Sequence, residues 1–514
     1  MRLKIFRFLL GAGFACLITS SLAAQTQTPQ PREMGRSPIY REDAYTQWRW
    51  VGRLRQGSDC PPVDGWEKKR LLEEVISELD RRAADRQRYS PEQRRTAMAD
   101  RALVRELGLD RHCVYSRIEA NKPFKKPPTL EDARMDRLAL SGMATLDETV
   151  SPALAEHFLA QTGAAPSLSL RSGRPSVRLT FIDSHPDEDK VSSQPPPGSQ
   201  HGYTLAHLAR QLLCHGNSCA ATVASRRAQH YDKVSVGLQL PPPRVAKNEA
   251  GRVGLVSDLA DAILKEVVEW RLEDPKDRPK LILNLSLGWD GELFGDLDVS
   301  ELSKLPPDVR AVHDALRFSA DRGVLVIAAA GNRRAGPQPS TLPILPAAWE
   351  LRNPSRGGPK LVYSVGGWDW QGLPLPNFRH GGRPQRSAYG DHAVTKVGNR
   401  HTAIFTGTSV STAVVSAIAG MVWHLRPELK PDQVMELVDR SGRELEPQAD
   451  FYSKALPGGQ APRLLRLSLC EAVTRACAPG GRDQTAPTSF RCNRGRARRV
   501  AGSSPRYRSR HASH

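Results

Sequence analysis

The run from Val410 to Trp423, Val-Ser-Thr-Ala-Val-Val-Ser-Ala-Ile-Ala-Gly-Met-Val-Trp, is small and apolar on every side. A surface helix carries an apolar stripe, whereas apolar residues all round require a helix enclosed by its own domain. At about 14 residues the run is too short for a bilayer, so the chain must build protein layers around it. With 514 residues, 39% of them hydrophobic, it has material for one large domain and an accessory segment.

Those layers are legible upstream. From about residue 175, short β runs alternate with helices. Val177–Ile182, Lys233–Leu240, Lys280–Leu287 and Val324–Ala329 are predicted strands; Thr204–Leu213, Val253–Trp270 and Val309–Ala320 are predicted helices. Alternation of this kind specifies an α/β domain with a mainly parallel central sheet, whose functional residues gather at the carboxyl ends of strands. Residues 25–150 are expected to be a mostly helical N-terminal accessory or pro-segment. Trp66–Arg82 places Leu71, Leu72, Val75, Ile76 and Leu79 on one helical face. A second helix starts at Ser90-Pro91-Glu92-Gln93, with Ser90 as N-cap, and stops at Gly108.

The ends carry different signals. Arg2, Lys4 and Arg7 precede an apolar run from Phe8 to Ile18, and Ser21-Leu-Ala23 offers a cleavage site. Residues 1–24 are therefore expected to be a signal peptide for export to the periplasm or outside the cell, with no transmembrane anchor after its removal. Residues 481–514 hold nine arginines and one aspartate, eight of the net charge of +19. Their ordinary reading is a solvated, disordered tail; the sharper one is contact with an anionic surface. With only Phe490 and Tyr507 as aromatics, the tail lacks the stacking groups of a specific nucleic-acid binder.

Export favours disulfides. Cys214 with Cys219, and Cys470 with Cys477, are close enough to close small loops. Cys60 with Cys113 would then staple the N-terminal segment and leave Cys492 odd, although sequence alone does not fix the pairing. No cysteine spacing resembles a zinc site.

Four positions stand out within 151–480, the predicted catalytic domain. Asp183 ends the strand Val177-Arg-Leu-Thr-Phe-Ile182; alone, it reads as a turn or cap residue. His201 opens His201-Gly-Tyr-Thr-Leu-Ala206 at the head of an apolar helix. Asn332 closes Val324-Leu-Val-Ile-Ala-Ala-Ala-Gly-Asn332, which turn chemistry alone would explain. Ser409, in Gly407-Thr-Ser409, sits where a serine ordinarily caps the buried helix. That helix end also offers backbone N–H groups and a positive dipole to a developing negative charge.

In this order and with these flanks, the four motifs resemble those of the subtilisin-like serine peptidases, the subtilases. Leu283-Asn-Leu-Ser-Leu-Gly288 is similar to the strand lining the family's substrate cleft, and Tyr363-Ser-Val-Gly-Gly367 to the strand after its asparagine. The resemblance implies a three-layer α/β fold over roughly residues 175–440. It also implies a serine endopeptidase acting on proteins or peptides. Ser409 would be nucleophile, His201 base, Asp183 its orienting carboxylate and Asn332 an oxyanion donor, with Ser286, Leu287 and Gly288 binding substrate. No cofactor is required; relatives bind calcium as a structural ion, but no acidic cluster here locates such a site.

Departures mark a divergent branch. Ser184-His185 follows the aspartate where the family has Thr-Gly, Thr204 replaces a second histidine and Ala413 a proline. These changes keep a second reading open, a weakly active or inactive relative that binds peptides or a partner. His185 and His207 compete with His201, and Asp187 and Asp189 with Asp183, but none has the matching flanks.

Overall fold

Strands rich in Leu, Ile and Val, buried on both faces, can pair only inside a layered domain. The computed structural model describes residues 39–40, 46–55, 59–117, 124–136, 138–141, 143–146, 152–164, 176–183, 200–215, 218–227, 249–250, 253–290, 302–332, 342–350, 359–375, 379, 386–394, 396–397, 400–401, 404–445 and 464–477. The predicted strand Lys233–Leu240, the leader and the basic tail lie outside the described residues.

The N-terminal segment differs from its expectation. Its strands β1 (Ile39–Tyr40), β2 (Thr46–Leu54), β3 (Glu67–Arg70), β4 (His112–Arg117) and β5 (Leu130–Met135) form one sheet, accompanied by helices α1 (Glu73–Ala84) and α2 (Pro91–Glu106). The segment is therefore mixed α/β rather than mostly helical. Leu72, in the left-handed region at φ 67°, separates strand β3 from the helix read as starting at Trp66. The Ser90 capping box and the left-handed Gly108 stand as the sequence predicts.

Two short strands follow, β6 (Leu138–Ser141) and β7 (Met143–Leu146), then helix α3 (Pro152–Thr162). The C-terminal part continues with β8 (Val177–Asp183), α4 (Gln200–Leu213), the hairpin β9 (Cys214–His215) and β10 (Ser218–Cys219), and β11 (Ala221–Arg227). Next come β12 (Glu249–Ala250), β13 (Val253–Leu255), α5 (Val256–Arg271), β14 (Lys280–Leu285), β15 (Leu287–Gly288), α6 (Pro307–Asp321) and β16 (Leu325–Ala329). The last stretch holds β17 (Tyr363–Trp368), β18 (Arg386–Tyr389), β19 (Lys396–Val397), β20 (Arg400–His401), β21 (Ile404–Thr406), α7 (Thr408–Leu425), α8 (Pro431–Ser441), β22 (Arg443–Glu444), β23 (Leu465–Arg466) and α9 (Leu469–Ala476).

The central sheet runs β11-β8-β14-β16-β17-β18-β23-β22, parallel throughout except for β22. One apolar core lies between this sheet, α5, α6 and the N-terminal unit, joining Val51, Leu79 and Val104 to Ile263 and Val312. A second core covers the other face, with α4, α7, α8 and α9. Helix α7 spans 18 residues, longer than the run that marked it, and by length and composition alone it could cross a membrane. It is instead packed inside the domain, buried from Thr408 to Trp423.

Disulfides join Cys60 to Cys113 and Cys214 to Cys219. The third expected pair does not form: Cys477 is free, whereas Cys470 is disulfide-bonded. Cys470 lies on α9 and Cys477 caps it, so a helical rise of about 10 Å separates them, beyond the reach of a disulfide.

Candidate active site

At the carboxyl edge of the sheet, four separate elements end or begin with the residues singled out by the sequence. Asp183 is the last residue of β8, held in the ladder opposite Arg227. His201 stands in the first turn of α4, and its Nδ1 meets Asp183 Oδ1 at 2.8 Å with both side chains buried. A proton on Nδ1 donates to the carboxylate, which leaves the Nε2 lone pair as acceptor. Nε2 is itself buried and takes no hydrogen bond. Buried polar atoms are ordinarily paired; among the described residues His112 Nε2 and Tyr389 Oη share this exception.

Ser409 is the second residue of α7 and only 2% exposed. Its Oγ donates to Ser286 O at 3.3 Å, at the end of β14. Ser286 Oγ lies 2.8 Å from Asn284 Oδ1, and Asn284 Nδ2 donates to Ser416 Oγ at 3.0 Å on the next turns of α7. The end of the strand is thus fixed to the helix by side chains, which sets the height of Ser409 above the sheet.

Asn332 follows Gly331, whose φ of 95° suits glycine. Its Oδ1 accepts the Thr408 N–H at 3.0 Å and the Thr408 hydroxyl at 3.2 Å, while Thr408 Oγ1 accepts the Gly331 N–H at 3.1 Å. With the oxygen pinned to the start of α7, the carboxamide nitrogen is turned to the other side. Arg379 Nε donates to Asn332 O at 3.1 Å, and its Nη1 pairs with Asp290 Oδ2 at 2.8 Å.

The structure therefore brings Asp183 to His201 and sets Asn332 and Ser409 at the same helix end. Ser286, Leu287 and Gly288 are buried beside Ser409, the last two as strand β15. Thr408 and Arg379 were not anticipated as site residues. Thr408 stands inside the Gly-Thr-Ser motif, so its signal was present; Arg379 lies among arginines and glycines with no pattern to single it out. Thr204 and Ala413, where the family's pattern differs, are both buried. His185, Asp187 and Asp189 lie outside the described residues. Among the described residues no three His, Cys, Asp or Glu side chains gather in a group that could hold a metal ion.

A mainly parallel α/β sheet with these residues at its carboxyl edge defines the subtilisin-like class. The chain belongs to the subtilase family, whose sequence model matches residues 181–454, and so to a family of serine peptidases acting on proteins or peptides. It is 29% identical over 251 residues to the serine protease AprX of Bacillus subtilis (strain 168), a match covering 44% of this chain and 51% of that protein. The chain thus spans about half the length of that curated relative. Among solved structures, the prenylagaramide maturation protease PagA aligns with 63% of this chain and 99% of its own, at 18% identity and a TM-score of 0.39.

Proposed function

We propose that this chain is an exported serine endopeptidase that works through Asp183, His201 and Ser409 with Asn332 as oxyanion donor. The observation that carries the reading is the buried His201–Asp183 pair with Nε2 left as acceptor, on a helix that packs against the one opening at Ser409. In this reading the Ser409 hydroxyl gives up its 3.3 Å bond to Ser286 O for one to His201 Nε2. The Oγ then attacks the peptide carbonyl, His201 takes its proton and returns it to the leaving amine, and Asp183 stabilises the imidazolium. The Asn332 carboxamide and the Ser409 N–H receive the oxyanion, and Ser286, Leu287 and Gly288 hold substrate backbone.

The organisation follows from the same reading. Residues 1–24 are the export signal, 25–150 an accessory or pro-segment seated on α5 and α6, 151–480 the peptidase domain and 481–514 a basic tail. Two disulfides agree with export to the periplasm or beyond. A fluorophosphonate probe tests the central claim: it should label the full chain and not Ser409→Ala. Equal labelling of the two ends the proposal.

A further inference from the structure

The Gly331–Asn332 turn is held from two directions. On one side stands Thr408, whose Oγ1 accepts the Gly331 N–H at 3.1 Å and whose N–H donates to Asn332 Oδ1 at 3.0 Å. On the other side both main-chain carbonyls of the turn face a single residue. Gly331 O accepts the Arg379 N–H at 3.1 Å, and Asn332 O accepts Arg379 Nε at 3.1 Å. Gly331 sits at φ 95°, where glycine is at ease and where its freedom lets a turn swing unless neighbours fix it.

The same side chain reaches two further segments. Its Nη1 pairs with Asp290 Oδ2 at 2.8 Å and donates to Leu342 O at 3.4 Å. Asp290 stands two residues beyond Gly288 of β15, and Trp289 between them exchanges backbone hydrogen bonds of 2.8 and 2.9 Å with Leu345. The Ile344 N–H donates to Ala330 O at 2.9 Å, one residue before the turn. The end of β15, the segment 342–345 and the turn therefore form one frame, with the Arg379 guanidinium at the junction. Its side chain is 6% exposed and that of Asp290 14%. A cation buried there carries a desolvation cost that a neutral donor to the same carbonyl would avoid. What the guanidinium adds is a planar fork, which fixes several directions at once where an ammonium fixes none.

We infer that Arg379 is a positioning residue for the oxyanion donor: it holds the Asn332 main chain so that the carboxamide is aimed before substrate arrives. Asp290 ties that aim to β15, the strand proposed to hold substrate backbone. The inference rests on the peptidase reading above. Arg379 acts through Asn332 and makes no bond to a reacting atom. A donor fixed in advance needs no reorganisation as charge develops on the substrate oxygen. A turn released from its clamp would still allow substrate to bind but would stabilise the transition state less, so the loss falls on rate rather than on affinity.

The test follows fluorophosphonate labelling of Ser409 in the full-length protein over a range of probe concentrations, which separates the limiting rate from the half-saturating concentration. Arg379→Met should lower the limiting rate about tenfold or more and move the half-saturating concentration by less than about twofold. Arg379→Lys keeps a charge for Asp290 but not the fork; it should melt as wild type does, lose rate likewise, and decide the matter if the methionine variant fails to fold. In an Asn332→Ala background either substitution should change the rate by less than about twofold, because the group they aim is gone. Full rate in either variant, a change confined to the half-saturating concentration, or a loss that multiplies with that of Asn332→Ala overturns the inference, while a labelled wild type preserves the peptidase reading. A wild type left unlabelled at Ser409 overturns both.

Discussion

His201 Nδ1 holds Asp183 Oδ1 at 2.8 Å across two elements 18 residues apart in the chain. The carboxylate fixes which ring nitrogen carries the proton, so Asp183→Asn keeps the shape of the site and inverts the tautomer. Peptide turnover should fall by about 10⁴, and retention of a tenth of the activity would show that His201 is not held this way. Asn332→Ala should cost about 10² to 10³ in turnover, the magnitude known for that donor in subtilisin itself.

A different site holds the N-terminal unit in place. Arg49, 6% exposed, reaches Asp136 Oδ2 at 3.3 Å and Asp258 Oδ1 at 2.8 Å, the latter in the first turn of α5. Arg49→Met removes the guanidinium that pairs with both acids and leaves two buried carboxylates facing each other. Thermal or denaturant unfolding of the Ser409→Ala protein should register a loss of about 3–5 kcal/mol; a loss under 1 kcal/mol refutes the anchoring role.

Acid should loosen the same interface. Burial pushes His112 down to about 4, with Arg53 and Arg310 adding to the effect and Asp314 opposing it. Its ordinary value is 6.5, so between those limits the unfolded chain binds the proton and the folded chain does not. The stability tied to neutral His112 is therefore complete above pH 6.5 and lost as pH falls toward 4, with a ceiling of about 3 kcal/mol. Melting curves of the Ser409→Ala protein with and without His112→Asn should converge as pH falls through this window. Parallel curves would exclude the effect.

The disulfides Cys60–Cys113 and Cys214–Cys219 should differ in weight. Cys60–Cys113 spans 53 positions and Cys214–Cys219 spans 5, so loop closure predicts a difference of about 2 kcal/mol between them. Alanine substitution of each pair, followed by denaturant unfolding, should lower stability more for the first. The reverse order would mean that local packing outweighs chain entropy.

Much of the catalytic half was legible because its signals are local and repeated. Val177–Ile182, Lys280–Leu287 and Val324–Ala329 are apolar runs whose β character does not depend on partners; Ala-Ala-Gly-Asn332 ends the third, and Gly-Thr-Ser409 opens the buried helix α7. The N-terminal sheet was not legible. Its longest strand, Thr46–Leu54, carries Arg49 and Arg53, charges that make sense only once Asp136, Asp258 and Glu131 are brought near. The Cys470–Cys477 pairing failed for a similar reason, since closeness in sequence ignores the rise of the helix between them. Thr408 acts on Asn332, 76 positions away in the chain, which no spacing rule reveals.

Asp136 also closes the first turn of α5: its Oδ1 accepts the Ser257 N–H at 3.2 Å, and the Ser257 hydroxyl donates to its other oxygen. A cap of this kind is worth about 1 kcal/mol. Here the helix belongs to one half of the chain and its cap to the other. Were residues 25–150 removed, the instruction for where α5 begins would depart with them.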